Sequence, residues 1–361
     1  MKYPLYSARI LARRTLFENL KFVDLPISSG YAYEDWHFNC NAVALGYRYF
    51  AVEGAAVFYR QRFDSRNHDA DAISVRQIPP SQLFEPRVFL RLCSGEIRQL
   101  ARRRGQTIAP VARGAAVFED PVYRDLITRA NAIDPAVDLG HFSWDSEGHY
   151  NNHADSTVGV AYYRICEMVG DTQFEAVFLP FGGMPNGGAD LAATAIHELI
   201  LANPGSRALV LLDESSALDQ ASLILPPSVL VLDLAQYDIL SEDRELVCLK
   251  LLEASASAAV LHFTPSPFAH RFLARFGSLL RNNLKICYRL ADQMTNTHGF
   301  QFVDPTQFEF ISEHIDIIDR VVVFDRETFD ADRFRLPDVR NKWYFGGSVR
   351  LLADSVSEPI A

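Results

Sequence analysis

The stretch FEAVFLPFGGMPNGGADLAATAIHELILANPGSRALVLLD, Phe174 to Asp213, decides how the chain is read. AVFLPF is a short apolar run, GGMPNGGAD a glycine-rich loop, LAATAIHELILA a helical pattern, and RALVLLD a second apolar run after the Asn203-Pro204-Gly205 break. The same alternation continues through SVLVLDL, AAVLHF, LKICYRL and RVVVFD. SEDRELVCLKLLEA and PFAHRFLARFGSLLRN separate members of that series. Strands that are apolar throughout and alternate with helices belong to a parallel sheet covered on both faces. The expectation is an α/β, Rossmann-like doubly wound domain over 173–345, with a ligand crevice at the carboxyl ends of its strands. Ser241 is expected to cap the helix that it opens, with acids in the first turn.

Working outward, residues 1–80 are rich in aromatics and close on RNHDADAISVRQIPPS, a polar stretch that reads as a domain edge. Residues 81–172 carry helical spacing in RVFLRLCSGEIRQLARRR and DPVYRDLITRANAI and form a mainly helical connector; 346–361 is a tail. The net charge of −10 argues against broad nucleic-acid affinity, because neutralising phosphates needs a basic surface. Arginines cluster in RQLARRR, which reads as a solvated helix face; contact with anionic lipid is the minor alternative. Five scattered cysteines without a C-x-x-C pair fit a reducing compartment. No apolar run approaches the roughly 20 residues of a membrane helix, and no signal pattern opens the chain. The expected location is cytoplasmic, with at most peripheral contact at the inner membrane face.

Glu34 and Asp35 precede WHFNCNAVAL, a helical pattern stopped by Gly46. Acids in a first turn stabilise the helix dipole, and that alone accounts for them. A second reading makes them a carboxylate pair at a cleft edge, able to take a proton from an attacking hydroxyl, with Trp36 stacking on a sugar face. Elsewhere, Gly182-Gly183 and Gly187-Gly188 suit close backbone approach to an anion at a helix start, but their spacing is not that of a dinucleotide fingerprint. Asp213 mimics the ribose-binding acid of dehydrogenases, which keeps an NAD-type oxidoreductase as a distant alternative. His149 and His153 in HYNNH sit in a loop-like setting that argues against metal. Ser215-Ser216 lacks a nucleophile elbow. His262 ends a strand and faces the expected crevice, although a satisfied core histidine explains it too.

The segment from Arg14 to Ser65 resembles the carboxyl-terminal part of a family-2, inverting glycosyltransferase of GT-A fold. Arg14 to Asp24, Glu34-Asp35-Trp36, Gly46-Tyr47-Arg48, Tyr59-Arg60 and Ser65 carry the resemblance in order and spacing. It implies that Asp35 is the general base, that Glu34 shapes the acceptor pocket, that Trp36 and His37 line it, and that Arg60 lies near the donor diphosphate. His37 stands where the family more often has an acid. The family's donor-binding half, with its D-x-D motif for manganese or magnesium, should precede Arg14, where only residues 1–13 stand; Asp69-Ala70-Asp71 reads as surface charge. No cofactor or metal site is therefore expected in this chain.

Ala130 to Asp325 resembles the amino-terminal half of a family-4-like, GT-B glycosyltransferase from large bacterial multidomain glycan synthases. The carriers are LPFGGMPNGGAD and the phrase Ala132-Ile133-Asp134-Pro135. This implies that Gly187, Gly188 and Asp190 face a sugar-binding cleft. Together the resemblances imply transfer of a sugar from a nucleotide-sugar donor to a glycan hydroxyl in polysaccharide biosynthesis. The alternative is a catalytically incomplete module that binds glycan or docks to another transferase subunit.

Overall fold

The computed structural model describes residues 10–50, 75, 77–103, 119–141, 156–179, 196–201, 204–213, 225–226, 228–290, 295–297, 300–302, 305–323, 326, 329 and 341–345. The described helices, in chain order, are α1 (Arg14–Asn19), α2 (Glu34–Ala44), α3 (Pro86–Arg103), α4 (Pro121–Ile133), α5 (Ser156–Val169), α6 (Ser241–Ser255), α7 (Pro267–Leu280) and α8 (Pro305–Glu313). The strands are β1 (Ala176–Leu179), β2 (Ala208–Leu212), β3 (Leu230–Asp233), β4 (Val260–Phe263), β5 (Lys285–Arg289), β6 (Thr295–Thr297), β7 (Phe300–Phe302), β8 (Arg320–Val323) and β9 (Trp343–Phe345). Residues 196–201 are also helical.

Seven strands form one parallel sheet in the order β3-β2-β1-β4-β5-β8-β9, while β6 and β7 pair antiparallel in a separate hairpin. The chain thus begins in the middle of the sheet, builds to one edge, then returns to build the other. That is the doubly wound α/β arrangement expected from the apolar runs. β1 and β2 are buried at every position, as strands covered on both faces must be. β9 at the sheet edge was not anticipated: WYF is too short to stand out as a run.

Alternation divides the strand side chains between two layers. Val177, Leu179, Leu209, Leu211, Leu261, Phe263, Ile286 and Tyr288 face the larger core, which contains residues of α5, α6, α7 and α8. Ala176, Phe178, Ala208, Val210 and Leu212 face a smaller core closed by Ile196. Helix α6 lies inside the larger core, with buried residues on every side, so its sequence lacks a clean polar stripe. It begins at Ser241 with Leu240 in the capping position and no side-chain cap; the Ser241 hydroxyl instead accepts from Arg271 at 3.0 Å. Helix α7 does have such a cap, Ser266, whose oxygen accepts from the Ala269 amide.

The expected boundaries at 80 and 172 do not separate cores. One hydrophobic cluster joins Tyr31, Trp36 and Cys40, Phe84 and Phe89, Tyr162 and Ile165, and the sheet itself. Helix α2 runs from Glu34 to Ala44 and ends beside Gly46 at φ 90°, as the sequence led one to expect. Arg91 of α3 donates to the Ala44 carbonyl at that end, and α1 reaches α2 through Phe17 and Leu16 against Phe38.

Candidate functional site

The acidic helix start is built on an unusual backbone. Tyr33 precedes α2 at φ 65° and ψ 59°, a left-handed conformation that a residue with a side chain adopts at a cost. Asp35 is half-buried, and one carboxylate oxygen accepts from the Trp36 amide at 2.8 Å. Burial raises the Asp35 pKa, the Trp36 amide opposes the shift, and Glu34 adds to it. Glu34 is exposed.

Trp36 does not offer a sugar-stacking face. It is 5% exposed, packs edge-on against Tyr33 at 5.7 Å, and joins the main core. The alternation of α2 turns it inward with Cys40 and Ala44. His37 is committed to structure as well: its Nε2 lies 3.2 Å from the Pro80 carbonyl and 3.0 Å from the Asn41 amide. Burial lowers its pKa, with the Pro80 carbonyl opposing and Lys250 adding. Asn41 in turn accepts from the Ser81 hydroxyl at 2.8 Å and the Gln82 amide at 3.1 Å. One face of α2 therefore clamps the 80–82 segment. Arg60, Gly187, Gly188 and Asp190 lie outside the described residues. So do the Asp69-Ala70-Asp71, His149/His153 and Ser215-Ser216 motifs.

Next to that clamp is a cavity of about 450 Å³, walled by residues 80–87, by the 170–173 turn after α5, and by the end of α6. Its inner wall holds an ion pair the sequence reading did not anticipate. Lys250 Nζ donates to Glu253 Oε2 at 2.7 Å and to the Ile78 carbonyl at 3.3 Å. Both side chains are about 5% exposed or less. The Tyr31 hydroxyl donates to the other Glu253 oxygen at 3.1 Å; burial first, and then the Glu253 charge, pushes the Tyr31 pKa far up. At the rim Arg87 pairs with Asp171. Asp35 is not among the residues lining this cavity.

A second polar group sits where strand order reverses, between β1 and β4. His262 pairs in register with Phe178 and with Cys287, and its ring stacks on Phe178 at 4.6 Å. The Arg289 Nε donates to His262 Nδ1 at 3.2 Å, so Nδ1 is the acceptor and Nε2 carries the proton. That Nε2 is buried and has no hydrogen-bond partner among the described residues. Burial, reinforced by the guanidinium, pushes the imidazole well below its usual pKa and keeps it neutral. Arg289 itself is 3% exposed, with its pKa lowered by burial and partly restored by Cys287 and Glu198. Histidine at a strand end was legible in AAVLHF. Arg289 was missed, although a cation closing the apolar run LKICYR is the signal that could have found it.

Asp213, the residue that a nicotinamide reading would assign to a ribose, is paired with Arg244 at 3.3 Å. Among the described residues no three His, Cys, Asp or Glu side chains converge on a metal-sized site, and no helix is long and apolar enough to cross a membrane. None of the five cysteines is joined in a disulfide; burial pushes Cys40 and Cys166 up to about 12, which leaves them unreactive. No protein-family model, curated protein or solved structure matches the chain.

Proposed function

We propose that the chain is a glycosyltransferase-type protein that moves a sugar from a nucleotide-sugar donor to a glycan hydroxyl. The observation that carries this reading is the buried Arg289–His262 pair at the ends of β5 and β4, beside the reversal of strand order. Ligands of open parallel sheets bind outside the strand ends at that reversal. A guanidinium withdrawn from water interacts strongly with an anion, and a diphosphate is the anion that a nucleotide sugar brings. In the sequence, the glycine-rich run Gly182 to Asp190 follows shortly after β1. Asp35 remains the candidate base, since a carboxylate made more basic by burial is better suited to accept a hydroxyl proton.

Turnover of a panel of nucleotide sugars, with and without manganese, tests the reading. Arg289→Met is expected to weaken donor binding at least tenfold, and Asp35→Asn to lower turnover by about 10²-fold or more. Absence of both donor binding and turnover overturns it.

A second reading, a catalytically incomplete glycan-binding or partner-docking module, is favoured by the spending of Trp36 and His37 on packing. Saccharide or transferase binding without turnover supports that alternative. A nicotinamide absorbance assay disposes of the oxidoreductase.

A further inference from the structure

We infer that the cavity between residues 80–87, the 170–173 turn and the end of α6 is a binding site for a neutral saccharide unit. The inference takes from the proposed function only that the ligand is a sugar. It concerns a cavity whose lining includes neither the acidic pair nor the His262–Arg289 pair.

Volume comes first. About 450 Å³ falls within the range of small-molecule sites, roughly 300–1,000 Å³. Charge selects the ligand class. The lining contains two cations, Lys250 and Arg87, and each is already paired, with Glu253 and Asp171 respectively. The Arg87–Asp171 pair and Glu85, the remaining charged lining residue, are exposed, but a charged ligand reaching the inner wall would have to compete for one partner of the buried Lys250–Glu253 pair, which is unfavourable. A neutral ligand leaves both intact.

Hydrogen-bonding capacity then narrows the class. Lys250 has three N–H donors and spends two, on Glu253 and Ile78. A carboxylate offers about four acceptor sites, of which Glu253 uses one for Lys250 and one for Tyr31. Gln173 donates from Nε2 to the Ala254 carbonyl at 3.2 Å and keeps its amide oxygen; the exposed Gln82 lines the same cavity. The wall thus presents donors and acceptors side by side, next to Phe84, over which the Lys250 ammonium lies at 5.4 Å from the ring centroid. Vicinal hydroxyls, each both donor and acceptor, match that alternation; a purely apolar ligand would strand it.

Saturation-transfer NMR and calorimetry on the full chain test this, with neutral hexoses, N-acetylhexosamines and their disaccharides as probes. Glucuronic acid and glucose 1-phosphate serve as charged comparators. A neutral saccharide is expected to bind with Kd near or below about 1 mM. Ala254→Phe, which fills the cavity and keeps both ion pairs, is expected to weaken it at least tenfold, and Gln173→Ala several-fold. Should Ala254→Phe fail to fold, Gln173→Ala and Gln82→Ala at the exposed rim decide. Binding unchanged in these variants, preference for the charged sugars, or no neutral saccharide binding overturns the inference. Donor turnover measured on the same protein separates the two ideas. Turnover with no saccharide in this cavity sinks the site alone. Saccharide in the cavity, with neither turnover nor nucleotide-sugar binding, sinks the transferase reading and leaves the site.

Discussion

Lys250 and Glu253 lie one turn apart on α6, with Nζ 2.7 Å from Oε2 and both side chains almost wholly out of water. An ion pair so placed is costly to assemble and costlier to halve, because the survivor is left as an unpaired buried charge.

Lys250→Met should therefore destabilise the protein by about 3–5 kcal/mol. The double variant Lys250→Met/Glu253→Gln keeps an acceptor for Tyr31 and should lose clearly less. Urea denaturation of both proteins, compared at constant m-value, checks this; equal losses would show that the pair is not the relevant unit.

Asp35 has a folded-state pKa raised above its unfolded value, chiefly by burial. The sign follows: its favourable contribution is complete below the unfolded carboxylate pKa of about 3.9 and is lost as pH rises through the raised value. Asp35→Asn should therefore be the more stable protein at pH 7, with the gap closing near pH 3. Thermal melts across that window would contradict the placement of Asp35 if the variant were less stable at neutrality.

His262 runs the other way. Its folded pKa is depressed by burial and by Arg289, so its contribution is complete above the unfolded value near 6.5 and is lost as pH falls. Stability should fall below pH 6.5 by up to about 1.4 kcal/mol per pH unit from this residue. His262→Gln should flatten that slope in denaturant titrations at pH 7.5 and 5.5. An unchanged slope would show that the ring is not held neutral.

Gly30 takes φ 73°, and a Cβ added there would meet Leu279 Cδ2 at 2.8 Å. The residue lets its segment lie against the end of α7, and Asn282 in the turn after that helix donates to the Ser29 carbonyl at 3.4 Å. Gly30→Ala should cost about 1–3 kcal/mol from strain and crowding together. A loss under a few tenths would mean that the contact is slack.

The elements that were legible share one property: their signal is contained in a short window. AVFL, ALVLL, LVLD, VLHF, KICYR and RVVV became strands because each is mainly apolar, with charged or polar residues confined to a few positions. Helix α2 stopped where Gly46 allowed a positive φ. The Ser241 cap failed because α6 starts one position earlier in its phase, with Leu240 as the flanking residue. Trp36 shows the limit most clearly. Beside two acids in a first turn it reads equally well as a ligand platform or as core, and only the neighbours it meets, Tyr33 beside it and the shared core around Phe84 and Phe89, assign it to the core.

The amino-acid sequence by itself determined that this chain forms a doubly wound parallel sheet, since the burial of a strand on two faces is written in its own residues. Tertiary structure alone decided which polar groups meet. Tyr31 reaches Glu253 across 222 positions, and Arg289 finds His262 because adjacent strands pair in register, so that side chains on one face align. Local periodicity selects an element and the face it buries. Which other element arrives at that face depends on long-range packing, which no short window of sequence contains.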